Sequence, residues 1–512
     1  MTRGLLGLMT LALLLGCTAG PDYRRPDAPV PARYKEAEGW KRATPRDAGS
    51  HAAWWAPFED PLLDALQQRI DVSNQSLRAA EAAFRQLRAV ARGARAGLFP
   101  NLGVDTTGQR SGGSGSTGNS SSSQRRTTTT GDRFEISGSA AWEIDLWGRV
   151  RRGIESGVTS AQASAGDIAA VRLSLQIELA DAYLQLRIAD ELKRILDAAA
   201  VAYAQSLRIA TNQYAAGVVP RSDVLQAQTQ LETTRAQAIG VGVQRATLEH
   251  AIALLVGQSP AEFTIPPAPM RTAVPEIPLE LPSELLERRP DIAAAERRMA
   301  AANAQIGVAE AAFFPTITLS GSVGSLASRV GDLGRAGTSL WSFGADIAQS
   351  IFDGGARSAE VERARAAWDG AVANYRQVVL TSFQQVEDQI AALRILAQQG
   401  AMQALAVRSA REAERLALNQ YQAGTVAFTT VITAQTARLG NEQAALGVLQ
   451  SRLLATANLV GALGGGWRID QLPASDRLYT VPSLDPTAPK PSGEEPGFWS
   501  GFGEALRNLL PK

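Results

Sequence analysis

The sequence predicts an α+β membrane protein built as two tandem repeats, each a transmembrane β-hairpin followed by long, coiled-coil-like helices. Three observations carry this. First, Gln213-Tyr214-Ala215-Ala216-Gly217, then Val224, then Ala227-Gln228-Thr229, returns 207 positions later as Gln420-Tyr421-Gln422-Ala423-Gly424, Val431 and Ala434-Gln435-Thr436. Each copy carries a helical pattern to an aromatic, breaks it at a Gly suited to a left-handed C-cap, and restarts it within a few residues, so each is a helix-hairpin tip. Second, Phe134, Ile136, Gly138, Ala140, Trp142 and Ile144 alternate with polar neighbours, the period of a strand with one apolar face. Third, Val158 to Gly217 contains no Pro and carries two apolar stripes, one through Leu175, Leu179, Ala182, Leu186, Ala189 and Leu196 and one through Ile188, Leu192 and Ile195. A helix with two such stripes must touch neighbours on two sides.

Composition bounds the function. The 512 residues are 45% apolar and 20% charged, with 51 basic against 50 acidic side chains, so no global field recruits nucleic acid or anionic lipid. Length alone suggests about three domains, but the duplication argues for fewer, larger units. The single cysteine, Cys17, follows Arg3, an apolar run and Leu14-Leu15-Gly16. A basic start with a short apolar run is a secretion signal, too short to span a bilayer. The Leu-Leu-Gly-Cys ending resembles a bacterial lipobox, which implies cleavage after residue 16, a covalent lipid on Cys17, and, with Thr18 rather than Asp next, sorting to the outer membrane.

Residues 17–59 are Pro-rich with aromatics Tyr23, Tyr34, Trp40, Trp54, Trp55 and Phe58, an extended arm pinned along the body by its rings. Repeat 1 covers 60–265. Its first helix starts with Asp60 as N-cap and Pro61 at the first turn and stops near Phe99-Pro100. Strands are predicted at about 100–108 and 133–147, joined by a Ser/Gly/Thr tract, Ser111 to Thr130, too polar and too simple to pack. Long helices follow at 156–217 and 222–257, the return helix starting at Ser222 or Asp223. A Pro-rich linker, 266–282, leads to repeat 2 at 283–466, where Phe314-Pro315 echoes Phe99-Pro100 under a shift of 215. Its strands fall at about 315–325 and 339–352, and its long helices at 356–423 and 428–462. The tail, 467–512, ends in Phe498, Trp499, Phe502, Leu506 and Leu509, the spacing of a short amphipathic helix.

Motifs for chemistry are sparse. Gly113-Ser114-Gly115-Ser116-Thr117-Gly118 matches GxGxxG, but a Ser/Thr tract follows where a dinucleotide site needs a helix. His51 and His250 are isolated, no His/Cys cluster suits a metal, and Glu387-Asp388 reads as a solvated helix face. No catalytic constellation, metal site or cofactor is expected beyond the lipid on Cys17. Four lipid-compatible strands cannot close a barrel alone, and open edges are intolerable in hydrocarbon. Homo-oligomerisation follows from the edges; the copy number does not.

The segments Gly20-Pro21-Asp22-Tyr23, Trp54-Trp55, Trp142-Glu143-Ile144-Asp145-Leu146-Trp147-Gly148-Arg149, Arg289-Pro290-Asp291-Ile292, Phe313-Phe314-Pro315, Ile351-Phe352-Asp353-Gly354-Gly355 and Leu463-Gly464-Gly465-Gly466-Trp467 resemble the TolC/OprM-like outer-membrane efflux factors of the lipoprotein branch. The resemblance implies a homotrimer with a twelve-stranded barrel in the outer membrane of a Gram-negative bacterium, continued by an α-helical barrel in the periplasm. It implies a passive exit duct for small molecules, joined through a periplasmic adaptor to an inner-membrane pump of the resistance-nodulation-division class. A type I protein-secretion duct shares the fold, and a non-transporting lipoprotein scaffold is the reading of a different class. By the same resemblance, Tyr214, Gly217, Asp223, Val224, Tyr421, Gly424 and Val431 belong to the adaptor-contacting tips, and Asp223, Tyr421, Phe428, Thr429, Thr430 and Thr433 to the periplasmic gate. Thr429, Thr430 and Thr433 stand where relatives often carry carboxylates or an apolar residue, and Val426 where they carry Arg. That implies a polar Thr constriction backed by Phe428 instead of an acidic ring.

Overall fold

The computed structural model describes residues 18–36, 53–115, 127–270, 273–277, 285–335 and 337–478. Cys17, Trp40, His51 and the aromatic end of the tail lie outside the described residues. Two helices, α1 (Pro61–Ser73) and α2 (Gln75–Ala96), lead to β1 (Asn101–Gly115) and β2 (Thr127–Ile144), then to α3 (Arg149–Ala215) and α4 (Arg221–Leu255). After the connector come α5 (Pro290–Ala311), β3 (Thr316–Ala327), β4 (Ser339–Ala348), α6 (Ala356–Gln422) and α7 (Phe428–Ala462). The duplication is visible in lengths: α3 and α6 are both 67 residues, α4 and α7 both 35, α2 and α5 both 22.

The strands form one antiparallel sheet in the order β1-β2-β3-β4. Its register explains the alternation. Val104 faces Gly138, which faces Val323, which faces Trp341, and the next row is Leu102, Ala140, Gly321 and Phe343. With Trp142, Leu319 and Ala345, then Ile144, Ile317 and Ile347, these rows make one apolar face across four strands, while Ser139, Ser322 and Ser342 lie on the other. The outer edges of β1 and β4 have no partner strand among the described residues.

The tract from Ser111 to Thr130 differs from the expected loop: β1 and β2 stay paired from Asn101↔Ala141 up to Gly115↔Thr127. The ladder is backbone to backbone and needs no apolar side chain, and Thr suits a pleated strand. β2 pairs with β3 only from Phe134 to Ile144, so the polar half of the first hairpin projects past the second as a two-stranded ribbon. A 15-residue strand spans about 50 Å against a hydrocarbon core of about 30 Å, and the apolar rows occupy only its near half. β4 in turn ends at Ala348 instead of 352.

The helices extend this sheet into a wall. α3 packs on α2 and α5 near the sheet and on α4 and α7 farther down, while the main helical neighbours of α6 are α5 and then α7. Two shorter helices stacked end to end match one long one. The end of α4 meets the start of α2 at Asn74, whose amide donates to the Leu255 carbonyl (2.8 Å) while its side-chain oxygen caps Leu77 N–H (3.0 Å). Likewise the end of α7 meets the start of α5, where Arg289 donates to the Ala462 carbonyl (2.9 Å). α3 and α6 each run about 100 Å and begin at Arg149 and Ala356. The start of α3 lies before the predicted 156 because a carboxylate, not an apolar repeat, nucleates it: Asp145 accepts from Val150 and Arg151 N–H (3.1 and 2.9 Å). Asp353 does the same for Gly355 and Arg357 (3.0 and 3.2 Å), and the Arg357 side chain holds its carboxyl below the usual carboxylate range.

A second layer lies on one face of the wall. The arm is pinned by polar contacts as much as by rings: Tyr23 donates to Glu296 (2.6 Å), Arg25 to the Tyr375 hydroxyl (2.8 Å), and Asn303 to the Pro21 carbonyl (2.9 Å). Glu387 is not a plain solvated face, for it accepts from Lys35 and Glu36 N–H (2.6 and 3.0 Å). Trp54, Trp55 and Phe58 enter the main core with Leu63, Ile70, Leu179 and Tyr183; Asp60 caps α1 at Leu62 N–H (2.9 Å) and accepts from Tyr183 (2.6 Å). The arm starts at the junction of sheet and helices, with Ala19 N–H on the Trp147 carbonyl (2.9 Å). Aromatics gather at this level, Trp147 stacking on Phe314 at 4.7 Å and donating to the Pro315 carbonyl (2.8 Å).

Candidate functional site

The two hairpin tips share one backbone design. α3 ends at Ala215, Gly217 takes φ +75°, and Val218 N–H returns to the Gln213 carbonyl (2.9 Å). In the second tip Gly424 takes φ +74° and Thr425 N–H returns to Gln420 (3.0 Å). This six-to-one bond with a left-handed residue is the Schellman stop, and it makes glycine the low-strain choice at both positions. The return helix of the first tip starts at Arg221 after an extended Pro220, not at Ser222 or Asp223; neither side chain caps it, and Asp223 sits in its first turn.

Side chains separate the tips. Tyr421, Phe428 and Val431 are buried together with Ala210 and Ala227, and Val224, Leu207 and Val426 pack around them. The rings of Tyr421 and Phe428 lie 5.0 Å apart. Tyr214, the duplicate of Tyr421, is 46% exposed, as are Val218 at 65% and Leu225 at 51%. The cause is local: the 207-residue shift puts Arg221 where the second tip has Phe428, so Tyr214 lacks the ring that packs against its duplicate. The Tyr421 hydroxyl is buried with no hydrogen-bond partner among the described residues. Burial first, and the nearby Asp223 charge second, raise its pKa.

Thr429, Thr430 and Thr433 lie together on an open groove of about 630 Å³ between α6 and α7, with Leu416, Ala417, Gln420, Ala434 and Ala437. The Thr433 hydroxyl is turned onto its own helix, donating to the Thr429 carbonyl (2.8 Å), and apart from Leu416 and Gln420 the groove is lined by Ala and Thr. Phe428 does not back this groove, and Val431 is not on the tip surface: both point into the core that joins the two hairpins, at 1% and 0% exposure. Tip 1 therefore presents an apolar surface and tip 2 a small, weakly polar one.

Above the tips lies a joint that no short motif announces. Arg438 on α7 meets Glu414 on α6 (2.5 Å) and Glu442 (3.2 Å), and Glu442 also meets Arg411 (2.8 Å). Burial raises the pKa of Glu414, with Arg438 opposing and Glu442 adding to the rise. Gln435 donates to Ser206 (2.8 Å) and its carbonyl accepts from Tyr203 (3.1 Å), tying α7 to α3. The only sequence signal was the Arg438/Glu442 spacing of four; the partners on α3 are more than 200 residues away.

The sequence matches the outer membrane efflux protein family over residues 66–258 and 281–465, one block per repeat. It is 33% identical to the probable efflux pump outer membrane protein TtgC of Pseudomonas putida over 473 residues, 91% of this chain and 96% of that one. It is likewise 33% identical to outer membrane protein OprJ of Pseudomonas aeruginosa, covering 90% and 95%. The fold superposes on the solved outer-membrane channel OprN with a TM-score of 0.81 at 31% identity, covering 88% of this chain and all of that one.

Proposed function

This chain belongs to the outer membrane efflux protein family, and from that premise we propose that three copies close into one continuous conduit. It is an outer-membrane exit duct of an efflux pump, with its helical part in the periplasm. The single observation that carries closure by further copies is the pair of open edges, while the number three rests on the family resemblance. β1 and β4 end the sheet, and the same two sides end the helical wall at α2/α4 and at α6. Ladder groups left unpaired in hydrocarbon cost several kcal/mol each, so β4 of one copy meets β1 of the next. Below them α6, with Ile395, Met402 and Leu405 exposed, meets α4, with Ile239, Val243 and Leu254 exposed. Three copies give twelve strands.

The arm, α1 and the connector form a second layer on one face, and a tube of helices has room for such a layer only outside. The opposite face is then the bore. The arm's start beside Trp147 supports a lipid on Cys17, since it places that end at the aromatic interface level. The tips take the adaptor: tip 1 through Tyr214, Val218 and Leu225, tip 2 through its small-residue groove, with Asp223 beside Tyr421 helping to hold the closed end. An inner-membrane pump of the resistance-nodulation-division class supplies the cargo, small toxic molecules, and the duct conducts them passively.

The test is heat-modifiable electrophoresis with crosslinking of protein extracted from outer membranes, beside a Cys17→Ser control. A trimer-sized, detergent-resistant species in that fraction is expected, with lipid labelling lost only in the control. A soluble or peripheral monomer overturns the duct.

A further inference from the structure

On the face of the wall opposite the arm is a recess of about 760 Å³ where α3, α4, α6, α7 and the start of α5 converge. Its place follows from helix geometry. On α3, Gln176 and Tyr183 hold the outer layer through Trp54, Gln67 and Asp60, while Ser174, Glu178 and Asp181 line the recess. Residues two apart point about 200° from each other on a helix, so Tyr183 and Asp181 face opposite sides. α6 repeats the pattern: Glu387 holds the arm and Gln385 lines the recess.

Asp181 is poorly provided for. Asn458 donates to one carboxylate oxygen (3.2 Å), and the other is buried without any partner among the described residues. The charged groups facing the recess are Glu178 on α3 and the Arg289/Asp291 pair at the start of α5. That Arg is committed to Asp291 at 2.6 Å and to the Ala462 carbonyl. α4, α6 and α7 contribute only neutral groups here, among them Leu248, Gln385 and Asn458. Burial accordingly pushes the Asp181 carboxyl up to about 6, with the Asn458 bond opposing.

We propose that this recess is a proton-controlled cation station on the wall of the bore, enriching small cations when Asp181 is charged and losing that enrichment when it is neutral. The inference rests on the duct reading for the word bore, and on the recess alone for the rest. The chain has one cysteine, Cys17, so a single reporter thiol can be placed at Ser174, two turns and about 10 Å from Asp181. The experiment compares the labelling rates of Ser174→Cys by a cationic and an anionic thiosulfonate at low salt, from pH 5 to 7.5. It is run in the Asp181 protein and in Asp181→Asn, with the parent protein as background. One charge at that distance in water changes each rate about twofold in opposite senses, so the ratio of rates is expected to rise about fourfold with pH through 6. The Asp181→Asn ratio should stay flat and low. An identical pH profile in both proteins overturns the proposal, and so does failure of the thiol to label at all, because the recess is then closed to water. A duct that proves monomeric would leave this measurement intact, so the two readings fail separately.

Discussion

The two repeats descend from one unit, yet their long helices live differently. Leu186-Arg187-Ile188 on α3 and Leu393-Arg394-Ile395 on α6 coincide under the 207-residue shift. Ile188 is 5% exposed and Ile395 is 56% exposed. α3 sits mid-wall with neighbours on both sides, and α6 ends the wall. The arginines repeat the theme: Arg187 donates to the Pro266 carbonyl of the connector (2.9 Å), and Arg394 grips Glu36 of the arm. An internal helix and an edge helix can thus share a sequence, and the edge copy's apolar residues are the signature of a neighbour still to come.

The strongest way to break this comparison is to charge the edge. Ile395→Asp with Met402→Asp should abolish the trimer on seminative gels, since each buried unpaired charge costs several kcal/mol; persistence of the trimer would place the interface elsewhere. The tips offer the next contrast. Tyr421→Ala should remove about 3 kcal/mol or more of local stability and speed amide exchange through 418–430. Tyr214→Ala should change stability by less than about 0.5 kcal/mol, with no change in exchange through 211–223. A third comparison sets Ile188→Ala, expected to cost about 2–4 kcal/mol as a core deletion, against Ile395→Ala, expected to be near neutral in dissociated protomers by denaturant titration.

The smallest contrast between paired conditions belongs to Asp181. Its pKa is raised on folding from the ordinary carboxylate range to about 6, so the folded state binds the proton more tightly than the unfolded one. The contribution of Asp181 to stability is then greatest below pH 4, falls as pH rises from there through 6, and levels off above. Asp181→Asn should be roughly 1–2 kcal/mol more stable than the parent at pH 7.5, after discounting for solvent in the open recess, and no more stable at pH 4. Thermal melts at the two pH values check the sign.

What could be read in the sequence is what depends on near neighbours. The alternation from Phe134 to Ile144 fixed a face, and Tyr-x-Ala-Gly fixed each tip, because strand period and helix stop are local rules. The length of the first hairpin was hidden, since a ladder of Ser, Gly and Thr is held by its partner strand and leaves no apolar trace. The start of α3 was missed although its cause is local, because the Asp145 carboxylate that accepts from Val150 and Arg151 N–H leaves no mark in the apolar repeat. Glu387 and Asp181 acquire their surroundings from segments more than 200 residues away, Lys35 in one case and Asn458 in the other, and no window along the chain contains both ends.

The matched lengths of 67 and 67, 35 and 35, 22 and 22 make the molecule a gauge rod as well as a pipe. Its reach below the sheet is set by two independent columns that must agree, because Asn74 and Arg289 clamp the shorter helices at the same height along each. A seven-residue insertion in α3 alone would throw the joints out of step by about 10 Å. Any descendant that grows to bridge a wider gap must therefore lengthen both members of both hairpins at once, which makes stature in this architecture change in coordinated steps.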